Sequence, residues 1–340
     1  MKLSESSVSN FSENPSKGSH RYSSVISQLN EFEDSLIVQL PQKAGVLKDI
    51  ISYILSKGGK RIRPTLVFLC SGLLESDSTD KKPQLIAEIT ELIHTASLVH
   101  DDLIDDAANR RGKETTHLKW NSKVAIIAGD FLFAQASVKL GELQDTEVVR
   151  IYANVLSELC IGEINQAQNK FELNALTWEN YFAKSYSKTA SLFEAASKSP
   201  AIVSNQSAET VKSLSEYGKN LGLAFQIIDD LLDFTSSSEE LGKPSMGDLA
   251  NGTFTAPILF ALEDPSTKKQ LEELIQRRFQ GIKDLEQTKE ILASNGSFNK
   301  THELAQSFIK KANDSLNHFP SSIFKDDLQK LGEFIIERKL

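Results

Sequence analysis

Residues 93–106 read IHTASLVHDDLIDD, an apolar segment that runs straight into four aspartates. Upstream, Leu85, Ile89, Leu92, Ile93 and Ala96 recur at spacings of three and four, and Pro83 stands where an opening turn tolerates it. The pattern predicts a long amphipathic helix whose last turns carry the acid. On that helix Asp101 lies over Asp105 at i, i+4 and Asp102 over Asp106, so two adjacent faces each hold a pair of carboxylates. Like charges at this spacing destabilise a helix, and hard divalent cations with oxygen ligands are the natural remedy.

The arrangement returns far along the chain as Asp229-Asp230-Leu231-Leu232-Asp233. It closes a second stripe, Leu214, Tyr217, Leu221, Phe225, Ile228 and Leu232, in which Gly218 and Gly222 lie one turn apart where a neighbouring helix can approach closely. Acid set among Phe225, Ile227, Ile228 and Phe234 is poorly explained as surface decoration. An EF-hand is a poor alternative, because the first run lacks the glycine at loop position six and the glutamate at position twelve.

Composition supports a helical chain. Of 340 residues, 40% are hydrophobic and 25% charged, and 17 glycines with 9 prolines are too few for the frequent turns of an all-β protein. The expectation is an all-α, single-domain helical bundle with a central cavity over residues 25–340, preceded by a flexible tail at 1–24 that carries nine serines. Breaks are expected at Glu75–Pro83, Ser199–Ser207 and Ser294–Phe298. The net charge of -8 argues against a nucleic-acid partner. Cys70 and Cys160, with no ligand-spaced companions, exclude a structural zinc cluster, fit a reducing compartment and read as small core residues. No apolar run approaches the eighteen or so residues of a membrane span. The tail contains Glu5, Glu13 and a single arginine, unlike a typical transit peptide, so the cytoplasm is the expected compartment and a plastid the alternative.

Cations accompany the acids. Gly58-Gly59-Lys60-Arg61-Ile62-Arg63-Pro64 offers flexible backbone and three positive charges, suited to a phosphate or diphosphate. Arg110-Arg111-Gly112 follows the first acidic run, and two arginines there can clamp an oxyanion. Lys188-Thr189 and Gly242-Lys243-Pro244 add two further cations.

In collinear order, GGKRIRP, IHTASLVHDDLIDDAANRRG, AGDFLFAQ at 128–135, GEINQ at 162–166, SKTASLF at 187–193, FQIIDDLLDF and GKPSMGDL closely resemble the trans-isoprenyl diphosphate synthases, also called polyprenyl synthases. The resemblance spans about Gly58 to Leu259 and is greatest to the long-chain, solanesyl-type enzymes of plants and cyanobacteria. It implies the isoprenoid synthase fold and Mg²⁺-dependent head-to-tail condensation of isopentenyl diphosphate onto an allylic diphosphate, farnesyl or geranylgeranyl. Diphosphate is released at each step, and the product is expected to supply a prenylquinone side chain.

Residue by residue, the resemblance implies that Asp101 and Asp105, supported by Asp102, ligate two Mg²⁺ ions. Asp229, with Asp230 and Asp233 directly or through water, holds a third. Lys60, Arg63, His94 and Arg111 match positions that bind isopentenyl diphosphate, and Arg110, Lys188, Thr189, Gln226 and Lys243 match positions that bind the allylic substrate. Glu163 and Gln166 are assigned only helix packing or support of neighbouring groups. A homodimer, to which 128–135 contributes, and a transient membrane contact at product release complete the expected partners.

Ser97 and Ala96, four and five residues before Asp101, lie about 6 and 7.5 Å deeper on the helix. Both are small, which implies an open tunnel floor and a long product, with Ile93 as the next constriction. Three readings compete. A short-chain, geranylgeranyl-forming synthase shares every motif but stops early. A terpene cyclase needs no isopentenyl site, and a silent subunit loses aspartates that are all present here.

Overall fold

The computed structural model describes residues 22–38, 45–56, 58–75, 80–236 and 245–338. Helices dominate: α1 (Ile26–Val38), α2 (Val46–Leu55), α3 (Ile62–Leu73), α4 (Lys82–Ile104), α5 (Thr116–Lys119), α6 (Ser122–Leu143), α7 (Thr146–Gln168) and α8 (Trp178–Ser185). A π-helical turn (Tyr186–Ala190) leads into α9 (Ser191–Val203), followed by α10 (Ala208–Thr235). The chain closes with α11 (Gly247–Ala250), α12 (Ala256–Glu263), α13 (Pro265–Gln276), α14 (Asp284–Ser294), α15 (Ser297–Ser315) and α16 (Ile323–Ile336). The strands among the described residues are β1 (Asn109–Arg110) and β2 (Lys113–Glu114), paired antiparallel.

The two acid-bearing helices form as their stripes predict. Pro83 lies in the first turn of α4, where its missing N–H leaves no intrahelical bond unmade. Ser207 caps α10 by accepting from the Thr210 amide at 3.1 Å. α4 packs on α3, α6 and α9, and α10 packs on α9 and α15, so the main core lies between α4 and α10. Gly218 and Gly222 serve as the sequence anticipates: a methyl group at either would overlap Phe193 or Ala190 of the neighbouring α9 segment. A smaller core joins Phe234 to α11–α14.

Several sequence expectations change. α9 runs through Pro200 to Val203, with Pro200 in its last turn, so the break falls at 204–207 instead of starting at Ser199. It ends in a Schellman turn, the Gln206 amide donating to the Ala201 carbonyl at 2.9 Å with Asn205 at φ 52°. Residues 1–21 of the expected tail lie outside the described residues, while Tyr22 is 4% exposed and the Ser24 hydroxyl donates to Asp327 at 2.5 Å. The last three residues assigned to the tail therefore belong to the bundle. Cys70 is buried as expected, but Cys160 is exposed on α7. The 22-residue α6 is long and apolar enough by composition to cross a membrane, yet Ala125, Ala128 and Leu132 are buried within the bundle. Its Ile126, Ile127 and Val138 are exposed.

Candidate active site

α4 ends at Ile104, two residues before its acid run is complete. The Ala107 amide donates to the Asp102 carbonyl at 2.9 Å and the Asp106 amide to the Leu103 carbonyl at 3.3 Å, a Schellman end with Asp106 at φ 48°. Aspartate tolerates this left-handed position better than most residues. Asp106 consequently leaves the helical face and lies, exposed, 3.5 Å from His117 Nε2. The expected pairing of Asp102 over Asp106 is not formed, whereas Asp101 and Asp105 both border a central cavity of about 320 Å³.

The β-hairpin was not anticipated in a chain read as helical throughout. Register Arg110↔Lys113 leaves the two-residue loop Arg111-Gly112, with φ 52° and 71°, as a type I′ turn. That turn sends the two arginines to different partners. Arg110 Nε and Nη2 both donate to Asp102 Oδ1, at 2.7 and 2.6 Å, while Arg111 Nη1 donates to the Gly58 carbonyl. A side chain at Gly59 would meet the Arg111 guanidinium, so the glycine at 59 is what lets the cation dock. Arg111, Arg110 and His94 border both the central cavity and a small adjoining pocket of about 30 Å³.

Arg63, buried on α3, borders the central cavity with its guanidinium 4.6 Å from the Phe193 ring centroid and its Nε without a partner among the described residues. Burial pulls its pKa down to about 10, so it keeps its charge at neutral pH. His94 is held well below the usual histidine range by burial and then by Arg63, Arg111, Arg110 and Arg61. It therefore presents a neutral imidazole to the cavity. Lys60 is exposed, with its ammonium 5.6 Å from the Phe334 ring centroid. Arg61, read from the sequence as one of three cations suited to a phosphate, instead donates to Glu91 at 2.5 Å and fixes the turn before α3.

Across the cavity the π-turn reorients the chain so that Ser187 and Lys188 both reach α7. Ser187 Oγ donates to Glu158 at 2.5 Å, and Lys188 Nζ donates to Glu163 at 2.6 Å and Gln166 at 3.1 Å. Burial opposes the Lys188 charge, but Asp101 and Glu163 outweigh it and raise the pKa. Thr189 Oγ1 donates to Gln226 Oε1 at 2.6 Å, and Gln226 Nε2 donates to Asp230 Oδ1 at 2.7 Å. Tyr181 completes this relay by donating to Asp230 Oδ2 at 2.7 Å. Asp233 Oδ2 accepts from the Asp248 amide at 3.3 Å and so anchors α11. Asp229 Oδ1 accepts from Arg338 Nη2 at 2.6 Å.

Asp101 and Asp105 form no hydrogen bond or ion pair through their carboxylates among the described residues. Burial, partly offset by Lys188, pushes Asp101 up to about 6, and burial also raises Asp105. Two cavity-facing carboxylates left uncompensated suit a divalent cation with oxygen ligands. Asp248, which the sequence reading passed over inside GKPSMGDL, borders the same cavity and adds a further carboxylate. Ser97 borders the cavity as well, whereas Ala96 and Ile93 are fully buried and lie outside its lining. Lys243 lies outside the described residues.

An all-α bundle with two aspartate runs and several cations around one cavity defines a diphosphate-binding helical-bundle enzyme. The sequence profile described as Polyprenyl synthetase matches residues 44–292. A prenyl transferase from Cyanophora paradoxa is 45% identical over 294 residues, 86% of this chain and 90% of that protein. Solanesyl diphosphate synthase 2, chloroplastic, from Arabidopsis thaliana is 41% identical over 321 residues, 92% of this chain and 75% of that protein. The crystal structure of a polyprenyl synthase from Caulobacter crescentus, complexed with calcium and isoprenyl diphosphate, superposes with a TM-score of 0.87 at 30% identity, covering 96% of this chain and 100% of that one. The chain belongs to the polyprenyl synthetase family, with the isoprenoid synthase fold.

Proposed function

We propose that the protein is a long-chain trans-polyprenyl diphosphate synthase that extends an allylic diphosphate, farnesyl or geranylgeranyl, by successive units of isopentenyl diphosphate. The observation that carries this reading is one cavity with two anion-binding sides. Asp101, Asp105 and Asp229 with Lys188 form one side, and Arg63, His94 and Arg111 form the other. A cyclase needs only the first. The relatives named as solanesyl and decaprenyl diphosphate synthases favour a long product over the geranylgeranyl alternative.

Asp101, Asp105 and Asp229 are the residues that would hold Mg²⁺, about three ions by family resemblance, and the metal supplies charge neutralisation of the diphosphate. The allylic carbon–oxygen bond breaks with its electron pair leaving on diphosphate. The isopentenyl C4 then bonds to the allylic C1, and the proton lost from isopentenyl C2 passes to the released diphosphate. Lys188 stabilises the charge that grows on the leaving group, and Arg63 with Arg111 positions the isopentenyl diphosphate. Neutral His94 adds a hydrogen bond without further charge. Leu98 and Phe225 supply apolar lining to the cavity and help to exclude water while the carbocation exists.

Each added unit buries about five carbons, or about 3–4 kcal/mol at roughly 0.8 kcal/mol per methylene, so product release is slow and sensitive to detergent or membrane. The exposed apolar residues of α6 and α7, among them Ile126, Ile127, Val138, Ile161 and Ile164, support a homodimer. The chloroplastic relatives favour the plastid alternative for compartment, and a prenylquinone side chain is the use we propose for the product.

The test is to incubate the protein with Mg²⁺, isopentenyl diphosphate and either allylic primer, and to measure diphosphate release and product mass for the wild type and Ser97→Phe. The wild type should give a ladder ending at one long prenyl diphosphate, and Ser97→Phe a shorter one. A wild-type product of twenty carbons selects the short-chain alternative, and a hydrocarbon or alcohol formed from the allylic substrate alone selects the cyclase.

A further inference from the structure

Lys184 belongs to none of the motifs discussed above. It occupies the last turn of α8, and its side chain borders the central cavity beside Asp229, Asp230 and Asp248. The same side chain also borders a second pocket of about 90 Å³ lined by Asn165, Gln166 and Asn169. It therefore stands between an acidic chamber and an amide-lined one.

The π-turn that begins two residues later separates Lys184 from Lys188. Lys188 Nζ is held by Glu163 and Gln166 on α7, in the field of Asp101 and Asp105. Lys184 Nζ instead lies in the field of Asp230 and Asp248, with burial lowering its pKa against them. The two lysines thus divide the cavity, one at each aspartate run. Their satisfaction differs sharply. Lys188 has a carboxylate partner at 2.6 Å, whereas the acceptor for Lys184 among the described residues is the Phe254 carbonyl at 3.4 Å. An ammonium carries three donors, and a desolvated one with a single long bond is costly unless a ligand completes it.

We propose that Lys184 is a substrate-binding residue: its ammonium binds an oxygen of the allylic diphosphate at the second aspartate run and holds the same group once it leaves as inorganic diphosphate. The assignment rests on the reading of the cavity as the allylic site. Charge accumulates on the diphosphate as the carbon–oxygen bond breaks, so a cation fixed there stabilises the transition state more than the bound substrate. The isopentenyl side, at Arg63, His94 and Arg111, lacks this contact.

The experiment compares wild type, Lys184→Gln and Lys184→Arg as full-length proteins. It measures kcat and KM for each substrate, and the binding of inorganic diphosphate in Mg²⁺ by calorimetry. For Lys184→Gln, kcat/KM for the allylic substrate should fall about 100-fold. Inorganic diphosphate should bind about tenfold more weakly, with the isopentenyl KM within about threefold of wild type. Lys184→Arg, which keeps the charge, should retain diphosphate affinity within about threefold. Unchanged diphosphate affinity in Lys184→Gln overturns the proposal, as does an equal rise in both KM values or an equal loss in the arginine variant. Failure of the wild type itself to bind diphosphate and turn over would instead overturn the reading of the cavity.

Discussion

The two aspartate runs share the DDxxD spacing, but their carboxylates have opposite partners. In the first, Asp101 and Asp105 face the cavity in the field of Lys188 but without an ion pair among the described residues, and Asp102 is paired with Arg110. In the second, Asp229 is paired with Arg338, Asp230 is hydrogen-bonded by Tyr181 and Gln226, and Asp233 accepts from the Asp248 amide. Position explains the difference. The first run overruns the end of its helix, where carboxylates oppose the negative end of the helix dipole and the hairpin that follows donates to Asp102 but not to Asp101 or Asp105. The second also fills the last two turns of its helix, but there Tyr181 of α8, the Asp248 amide of α11 and Arg338, just beyond α16, reach its carboxylates. The first run thus leaves two carboxylates open to the cavity, whereas all three of the second are held by neighbouring donors.

The largest expected effect follows directly. Asp101→Asn removes an uncompensated, cavity-facing carboxylate, and we expect kcat to fall on the order of 10³-fold or more. Asp233→Asn keeps an acceptor for the Asp248 amide and should fall only about tenfold. Steady-state rates at saturating Mg²⁺ for the two variants decide it. A larger loss in Asp233→Asn would reverse the comparison.

The next contrast concerns pH in metal-free protein. Burial raises Asp230 to about 7 and Asp101 to about 6, from an ordinary value near 3.8. Between pH 4 and 7 these groups bind more protons in the folded chain than in the unfolded one. Their contribution to stability therefore falls as pH rises through that window. With a chelator present, the melting temperature should be lower at pH 7.5 than at pH 5.5, and Mg²⁺ should remove most of the difference. A chelated protein that melts higher at pH 7.5 would show that these carboxyls are not desolvated as described.

Legibility in the sequence followed the range of the interactions involved. α4, α10, both acid runs and the Gly218–Gly222 contact are set by residues within a few turns of each other, so spacing alone exposes them. The end of α4 is not, because the Schellman turn at Asp106 and the I′ turn at Arg111-Gly112 compete with a helical pattern that looks unbroken. The π-turn at Lys188 shifts register by one residue, which no periodicity reveals. Lys184 and Asp248 gain meaning only when α8 and α11 come together at α10. Pro200 precedes a boundary instead of forming it: α9 passes through it and closes where Asn205 takes the left-handed position.

The smallest effect expected is at Arg338, and it probes the join between the two regions. Its guanidinium donates to Asp229 at 2.6 Å and lies 4.0 Å from the Phe225 ring centroid, so in the metal-free protein it neutralises a carboxylate that would hold metal. Arg338 is buried, while the Asp229 side chain is 43% exposed, which limits the pair to about 0.5–1 kcal/mol. Arg338→Met keeps the apolar contact with Phe225 and releases Asp229. The half-saturating Mg²⁺ concentration should then fall about two- to fivefold, the equivalent of that energy. The first run, which has no such competitor among the described residues, should show no matching gain when its own cation is removed. Arg110→Met instead strips Asp102 of its ion pair among the described residues and leaves a buried charge uncompensated, so its Mg²⁺ requirement should rise. Opposite signs in the two variants mean that Arg338 competes with metal whereas Arg110 supports its site, and matching signs would erase the distinction between the two runs.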